Sequence, residues 1–435
     1  MQEQLLHFIW HRKLFSQVEL RTTESLDVEI LQTGIPNQDQ GPDFLQSRIR
    51  IDDQVWAGHV EIHIRSSEWY LHRHDQDTHY NNVILHVVWI EDQPVFTFDG
   101  TRLPCIELGE RVDRILLERY NHLMNNEEWI PCASSLSSVA DITRTSWLER
   151  LMSERLESKT ENIIKILERC GHDWEQAFFV VLARQLGAPA NSDAMESLAL
   201  KLPLKILRKH GDRTDQIESL FFGVAGMLTK ELSTGYPSSL KREFDFLKIK
   251  YGIQPMPALR WKFMRMRPVH FPTIRLAQLS RIVADTPLFI SMLIQTETPE
   301  EWIERFMVTP DQKYWQDHYH FKNEAPPSTK RLGKDTAQSL VINLVAPFMF
   351  VYGKMQGLQN LKERAVRLLS QMPPEKNAVI KGWTSCGWRA EDAGQTQAML
   401  HLKKNYCDMR RCLHCAIGLK VMKEDGGFDC PSRGA

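Results

Sequence analysis

Gly41 to Trp69 reads GPDFLQSRIRIDDQVWAGHVEIHIRSSEW, a Pro-Asp pair followed by a Glu-x-His. Asp43 and Glu61 are candidate ligands for one ion. Two carboxylates brought close repel unless a proton or a cation lies between them. Hard divalent ions such as Mg²⁺ or Mn²⁺ take oxygen ligands of this kind. His63 would ligate or act as a base, since imidazole titrates near neutral pH. His59, His63, His72, His74, His79 and His86 crowd the same region, six of the chain's 16 histidines. His86 sits in the apolar run VILHVVW, where a buried ring needs a polar partner. It joins Asp43, Glu61 and His63 as a candidate catalytic residue. His63, His74 and His86 together form an alternative, zinc-type donor set. Against both stands the ordinary solvent face of a half-buried strand, with His72, His74 and His79 as plain loop residues.

Two other clusters could do chemistry. YCDMRRCLHCAIG contains Cys407, Cys412 and Cys415. The spacing of the last two lets a pair of thiolates reach one ion, and a structural zinc or an iron–sulfur cluster needs four ligands. Cys132, Cys386, Cys430 and His414 are candidates for the fourth, with Cys132 preferred. Reduced, buried thiols are the alternative. Arg260, Lys262, Arg265 and Arg267 begin a basic stretch that continues to Arg275 and Arg281, interleaved with Trp261, Phe263 and Phe271. Cations beside rings suit a phosphate backbone with stacked bases. Helix arginines paired with acids elsewhere in the fold would look the same.

A hairpin must position the first cluster. Asp52-Asp53 serves as its turn, and the strands run over roughly 43–51 and 54–64. Val60, Ile62 and Ile64 then point one way, and Glu61, His63 and Arg65 the other. Directly opposed residues share a face, so one register joins Asp43 to Glu61 and a one-residue slip separates them. Ala57-Gly58 is a candidate bulge. Around the hairpin, residues 1–15 read as a helix. LDVEIL, RIRI, HVEIHI, NVILHVVWI, PVFTF and CIEL alternate as short strands. From about 110 onward the periodicity is helical. The fold class is therefore α+β, with a small mixed α/β domain at 1–112 followed by a large all-α domain at 113–435. A further division near 322–334 is left open.

Several blocks also resemble a known family. NQDQGPDFLQSRIRI, WAGHVEIHIRSSEWYLHRHDQDTHYNNVILHVV, RMRPVHFPTIRLAQL and NYCDMRRCLHCAIG are similar to bacterial domain-of-unknown-function family 2851. That resemblance implies no reaction. A looser one does: Pro42-Asp43, a hairpin and Glu61-x-His63 resemble the PD-(D/E)xK nuclease core, restriction-endonuclease-like in fold. In that core a helix precedes a mixed sheet, the Asp and Glu hold a divalent metal, and a Lys positions or activates water. The resemblance implies Asp43 and Glu61 as Mg²⁺ or Mn²⁺ ligands and DNA or RNA as partner. His63 stands where Lys is usual, without lysine's permanent charge and reach.

Composition bounds these readings. The chain has 435 residues, net charge −1 and 42% apolar residues. No global field draws it to nucleic acid, so binding must use a local patch. The longest apolar run, LVINLVAPFMFVY, contains Pro347 and reads as a buried helix rather than a membrane span. The start lacks a signal peptide's pattern. The expectation is a cytoplasmic protein with reduced or metal-bound cysteines. A non-catalytic interaction module stapled by a cysteine-bound metal is the competing class. Oligomeric state is not legible.

Overall fold

Near the N-terminus six strands form one mixed sheet. The computed structural model describes residues 2–37, 39–229, 234–257 and 261–423. The described chain divides into two units. One comprises the residues up to Arg144 together with those from Lys404 on, and the other is Thr145–Lys403. A small N-terminal sheet followed by a large helical part makes the chain mixed α/β.

The first unit begins with α1 (Glu3–His11), which buries Leu5, Leu6, Ile9 and Trp10. It is shorter than the run 1–15 suggests. Lys13, just past its end, adopts a left-handed backbone (φ 51°) and donates from Nζ to the Ile30 carbonyl. Next come β1 (Val28–Gln32), β2 (Ile35–Pro36), β3 (Phe44–Ile51) and β4 (Gln54–Arg65). A short helix α2 (Glu68–Leu71) leads to β5 (Val83–Ile90) and β6 (Cys105–Glu107). The order across the sheet is β1-β3-β4-β5-β6, with β2 beside β3. β1, β3 and β4 are antiparallel neighbours, whereas β5 and β6 run parallel to β4. α1 and α2 both pack on β4.

The second half of β4 is buried on both faces, which departs from the expected wet face. Val60 and Ile62 are wholly buried on one side, and Glu61 and His63 are 4% and 1% exposed on the other. PVFTF forms no strand, only an isolated bridge between Phe96 and Arg102. Val95 and Thr97 pair with the main chain of Leu103 and Thr101, while the Phe96 main chain is taken by side chains. The Phe96 carbonyl accepts from Trp69 Nε1, and the Phe96 N–H donates to the Tyr70 hydroxyl. Gly58 marks the tightest approach of β4 to its neighbour. A Cβ there would lie 2.4 Å from Ile84 Cγ2 and 2.5 Å from the Asn82 carbonyl oxygen.

The unit closes with α3 (Arg114–Asn125), a 3₁₀ turn at Ala133–Ser138 and the returning helix Ala416–Lys423. That helix packs on both α3 and the turn. Arg119 Nη1 donates to the Met422 carbonyl, and Arg410 Nη1 to that of Leu123.

The second unit is helical. Asp141–Arg169, Trp174–Leu186, Thr214–Val224, Gly235–Tyr251 and Gln359–Gln371 fall where the periodicity places helices. Phe178, Phe179, Phe221, Phe222, Trp302 and Trp315 are among the largest buried side chains of its core. Lys334–Met355, with a π-helical turn at Val341–Val345, is long and apolar enough to cross a membrane. Of its most apolar window 67% is buried inside the unit, as in a core helix.

Candidate metal centre

A bulge decides where Asp43 points. From the turn the hairpin pairs Ile51↔Gln54 through Ser47↔Gly58 in one register. Continued unbroken, that register would set Asp43 opposite Ile62, on the other face from Glu61. Instead Leu45 and Gln46 together oppose one residue, and Phe44 pairs with Val60. Gln46 absorbs the extra length at φ 59°, and its N–H donates to His59 Nδ1 at 3.3 Å. The bulge thus lies on β3, opposite the expected Ala57-Gly58. It brings Asp43 beside Glu61: the Asp43 N–H donates to Glu61 Oε2 (3.1 Å), and the Ile62 N–H donates to Asp43 Oδ2 (2.9 Å). On its other side Asp43 accepts from the Asn37 N–H through its carbonyl, at 2.7 Å.

The second set of side chains arrives from the connection between β4 and β5. Glu68 Oε2 accepts from the Ile64 and Arg65 N–H groups and turns the chain off the strand. α2 then ends at His72, and Arg73 takes a left-handed backbone (φ 62°) that aims His72 and His74 at one point. Tyr80 stacks on His74 with ring centroids 3.9 Å apart, and Trp69 lies edge-on to it at 5.3 Å. Trp69 is wholly buried and also contacts the His86 ring.

One nitrogen each from His63, His72 and His74 converges, all within 4.8 Å of one another. Glu61 Oε1 joins them, 3.2 Å from His74 Nε2 and 3.7 Å from His63 Nε2. His63 Nε2 is 3.1 Å from His72 Nδ1, and its other nitrogen is 2.9 Å from His86 Nε2. His86, fully buried, therefore stands behind His63 and orients its ring. It lies outside the converging set, and His72 takes the place expected for it. His7, on α1, brings Nε2 to 3.3 Å from Asp43 Oδ2.

The electrostatics suit a donor set. Burial and the neighbouring imidazoles push His63 down to about 2. Burial, with His74 nearby, pushes His86 down to about 3. Burial also lowers His74. All three are neutral rings with lone pairs available. Burial and the Asp43 carboxylate raise Glu61 well above the usual carboxylate range, so without a cation it keeps its proton. Burial alone would lower His7, but its hydrogen bond to Asp43 and the surrounding carboxylates leave it raised. His74 Nε2 and His86 Nδ1 are buried without a hydrogen bond. Orphaned buried nitrogens call for an explanation, and an ion at the convergence supplies one for His74. Three imidazoles and a carboxylate suit Zn²⁺, Mn²⁺ or Fe²⁺ better than Mg²⁺.

Of the residues singled out from sequence, Asp43, Glu61, His63 and His74 come together, and His86 supports them. His79 lies apart, exposed and bonded to Asp77. His7 was missed, and His72 was named within the histidine cluster but not as a ligand. The spacing of His7 and His11 on one helix face, and the His-x-His of 72 and 74, are the signals that could have found them.

The cysteine segment belongs to the same unit as the sheet. Cys412 and Cys415 are buried and Cys407 is half-buried. Cys132, 9% exposed, caps the turn that packs on the helix following Cys415. Burial and the adjacent Cys415 push the Cys412 thiol up to about 12. Gly418 lets that helix close on Cys412, since a Cβ would lie 2.4 Å from the Cys412 carbonyl oxygen. Cys430 lies outside the described residues, as does Arg260.

The rest of the basic stretch lies in the helical unit. Lys262, Arg265 and Arg267 are exposed. Arg275 is buried against Gln278 and His270, and Arg281 pairs with Asp285 and Asp311. Arg281 is thus an acid-paired arginine of the plainer alternative, whereas Arg275 is held by an amide and an imidazole.

The fold and donor set define a mixed-sheet protein with a preformed histidine–carboxylate centre. The chain belongs to the family described as protein of unknown function (DUF2851), whose model matches residues 3–378. The cysteine segment lies beyond that span. No curated protein and no solved structure matches the chain.

Proposed function

We propose that the N-terminal unit is a metal-dependent phosphodiesterase of restriction-endonuclease-like type, acting on nucleic acid. The observation that carries this reading is the β-bulge that sets Asp43 against Glu61, with His63 and His74 beside the same carboxylate and His72 converging with them. The helix before a mixed sheet, and the hairpin carrying Pro-Asp and Glu-x-His, support it further. Glu61, His63, His72 and His74 would hold the ion, and Asp43 supplies a second carboxylate at its edge. A bound divalent ion lowers the pKa of a coordinated water and offsets charge on a phosphate. His63 has both nitrogens committed, one to His86 and one to the converging set, so it serves as a ligand rather than the base. His7, paired with Asp43, is the imidazole placed to carry a proton at the open side of the centre.

The donor set itself favours a second reading, a zinc hydrolase of another class on the same residues. A purely structural ion would make the unit a non-catalytic interaction module. Labelled DNA and RNA incubated with Mn²⁺ or Zn²⁺ separate the three. Wild type should cleave, and Asp43→Ala and Glu61→Ala should not. Equal residual cleavage by all three proteins would sink the nuclease reading. For the cysteine site we propose zinc or an iron–sulfur cluster held by Cys407, Cys412, Cys415 and Cys132. Metal analysis with an absorption spectrum on anaerobically purified protein distinguishes them, and a colourless, metal-free protein would refute both.

A further inference from the structure

Two cavities of the N-terminal unit share a wall. One, of about 480 Å³, is lined by Asp43, His7 and Arg12. The other, of about 950 Å³, is lined by Arg411 and Asn125. Gln4, Leu413 and His414 line both. A continuous concavity therefore runs from Asp43 along α1 to the cysteine segment.

Its walls carry Arg12, Arg410 and Arg411 together with the acids Glu3 and Asp43, both of which lie beside His7. Arg12 and Arg411 are exposed, and neither forms an ion pair among the described residues. Arg410, between Arg411 and the rest of the segment, is instead spent on the Leu123 carbonyl. Elsewhere arginines beside acids pair readily, as Arg213 does with Asp215. Leu413 and His414 sit between the buried Cys412 and Cys415, and Arg119 ties the helix beyond them through Met422. The wall is thus built into the fold rather than draped over it.

We infer that this concavity is the path of a single nucleic-acid strand, with Arg12 and Arg411 holding phosphates along the path that leads from Asp43. The inference rests on the proposed function and names its substrate form. A polyanion fits because two guanidiniums without an ion pair among the described residues, Arg411 resting over the Tyr406 ring, line the path that starts at the carboxylate that would face the scissile phosphate. A single strand fits because the cations line concave walls beside the amides of Gln4 and Asn125, within reach of bases splayed from a stack.

Fluorescence anisotropy with the full chain tests it, using a labelled single strand of about 20 nucleotides and a duplex of the same sequence, over a salt series. Arg12→Ala and Arg411→Ala should each weaken single-strand binding about tenfold and each lower the slope of log K against log salt by about 0.7. Arg411→Lys should keep the slope, which separates lost charge from a damaged wall. Lys165→Ala, in the helical unit, should change nothing. Unchanged slopes in both alanine variants would overturn the inference. So would duplex binding tighter than single-strand binding with the same arginine dependence. If the slopes fall as expected but Asp43→Ala cleaves like wild type, the catalytic reading fails and the groove stands. If Asp43→Ala is dead and the slopes are unchanged, the reverse holds.

Discussion

His72 is the exposed member of a buried donor set, and that makes it the cleanest residue to test. Replacing it would remove one proposed ligand without opening the core. His72→Ala should weaken Zn²⁺ or Co²⁺ binding by at least roughly the 10–100-fold known for lost outer-shell partners. Competition against a chromophoric chelator measures this, and an unchanged affinity would remove His72 from the centre. The same titration has a pH dependence with a fixed sign. Glu61 holds a proton in the metal-free state, because burial and Asp43 raise it. Metal binding must release that proton, so affinity should rise with pH. Flat affinity between pH 6 and pH 9 would show that Glu61 is no ligand. The chemistry of Asp43 and Glu61 could be read from residue types alone. His72 could not, because a histidine in a turn reads as solvent-facing until the Arg73 backbone conformation is known.

At the scale of elements, the site depends on two backbone features that the side-chain pattern hides. Alternation along β4 shows which residues share a face, but the partner register is set at Gln46, whose type carries no bulge signal. A β-branched residue fits poorly at its φ of 59°. Gln46→Val should cost about 1–2 kcal/mol and lower metal affinity, whereas Gln46→Gly should preserve both. Thermal melts with and without Zn²⁺ compare the two, and equal behaviour would mean that the bulge does not hold Asp43. The other feature is Gly58, whose missing side chain admits β5. Gly58→Val should destabilise by about 1–3 kcal/mol through overpacking, read as a lower denaturant midpoint. A midpoint like that of wild type would show that β5 can shift aside. PVFTF misleads in the opposite direction. Its alternation is strand-like, yet the pairing stops at one bridge, and Trp69 and Tyr70 take the Phe96 main-chain groups that a further strand would need.

For the whole molecule, the two units carry separate probes. Glu218, fully buried in the helical unit, accepts from Tyr236 Oη (2.6 Å) and Trp315 Nε1 (2.8 Å) on one oxygen. Burial pushes its carboxyl up to about 8 from 4.5. The native state then holds a proton that the unfolded chain has lost, so this group's contribution falls as pH rises from about 4.5 to about 8 and is level above. Glu218→Gln should flatten that decline in denaturant melts of the helical unit, and an unchanged pH profile would refute the assignment. A chelator, by contrast, should lower only the transition that contains the sheet. The division into a small sheet and a large helical part was visible in the shift from period-two to helical spacing. The return of the chain from Lys404 was not, since nothing local in YCDMRRCLHCAIG records which distant element it packs against. That return has a consequence for synthesis. The sheet and its histidines leave the ribosome long before the segment that closes their unit, with the entire helical unit made in between. Until residues 404–423 emerge, α3 and the Ala133–Ser138 turn lack their packing partner. On the proposed reading, the nascent chain would hold its candidate metal donors before the wall that leads substrate to them has formed.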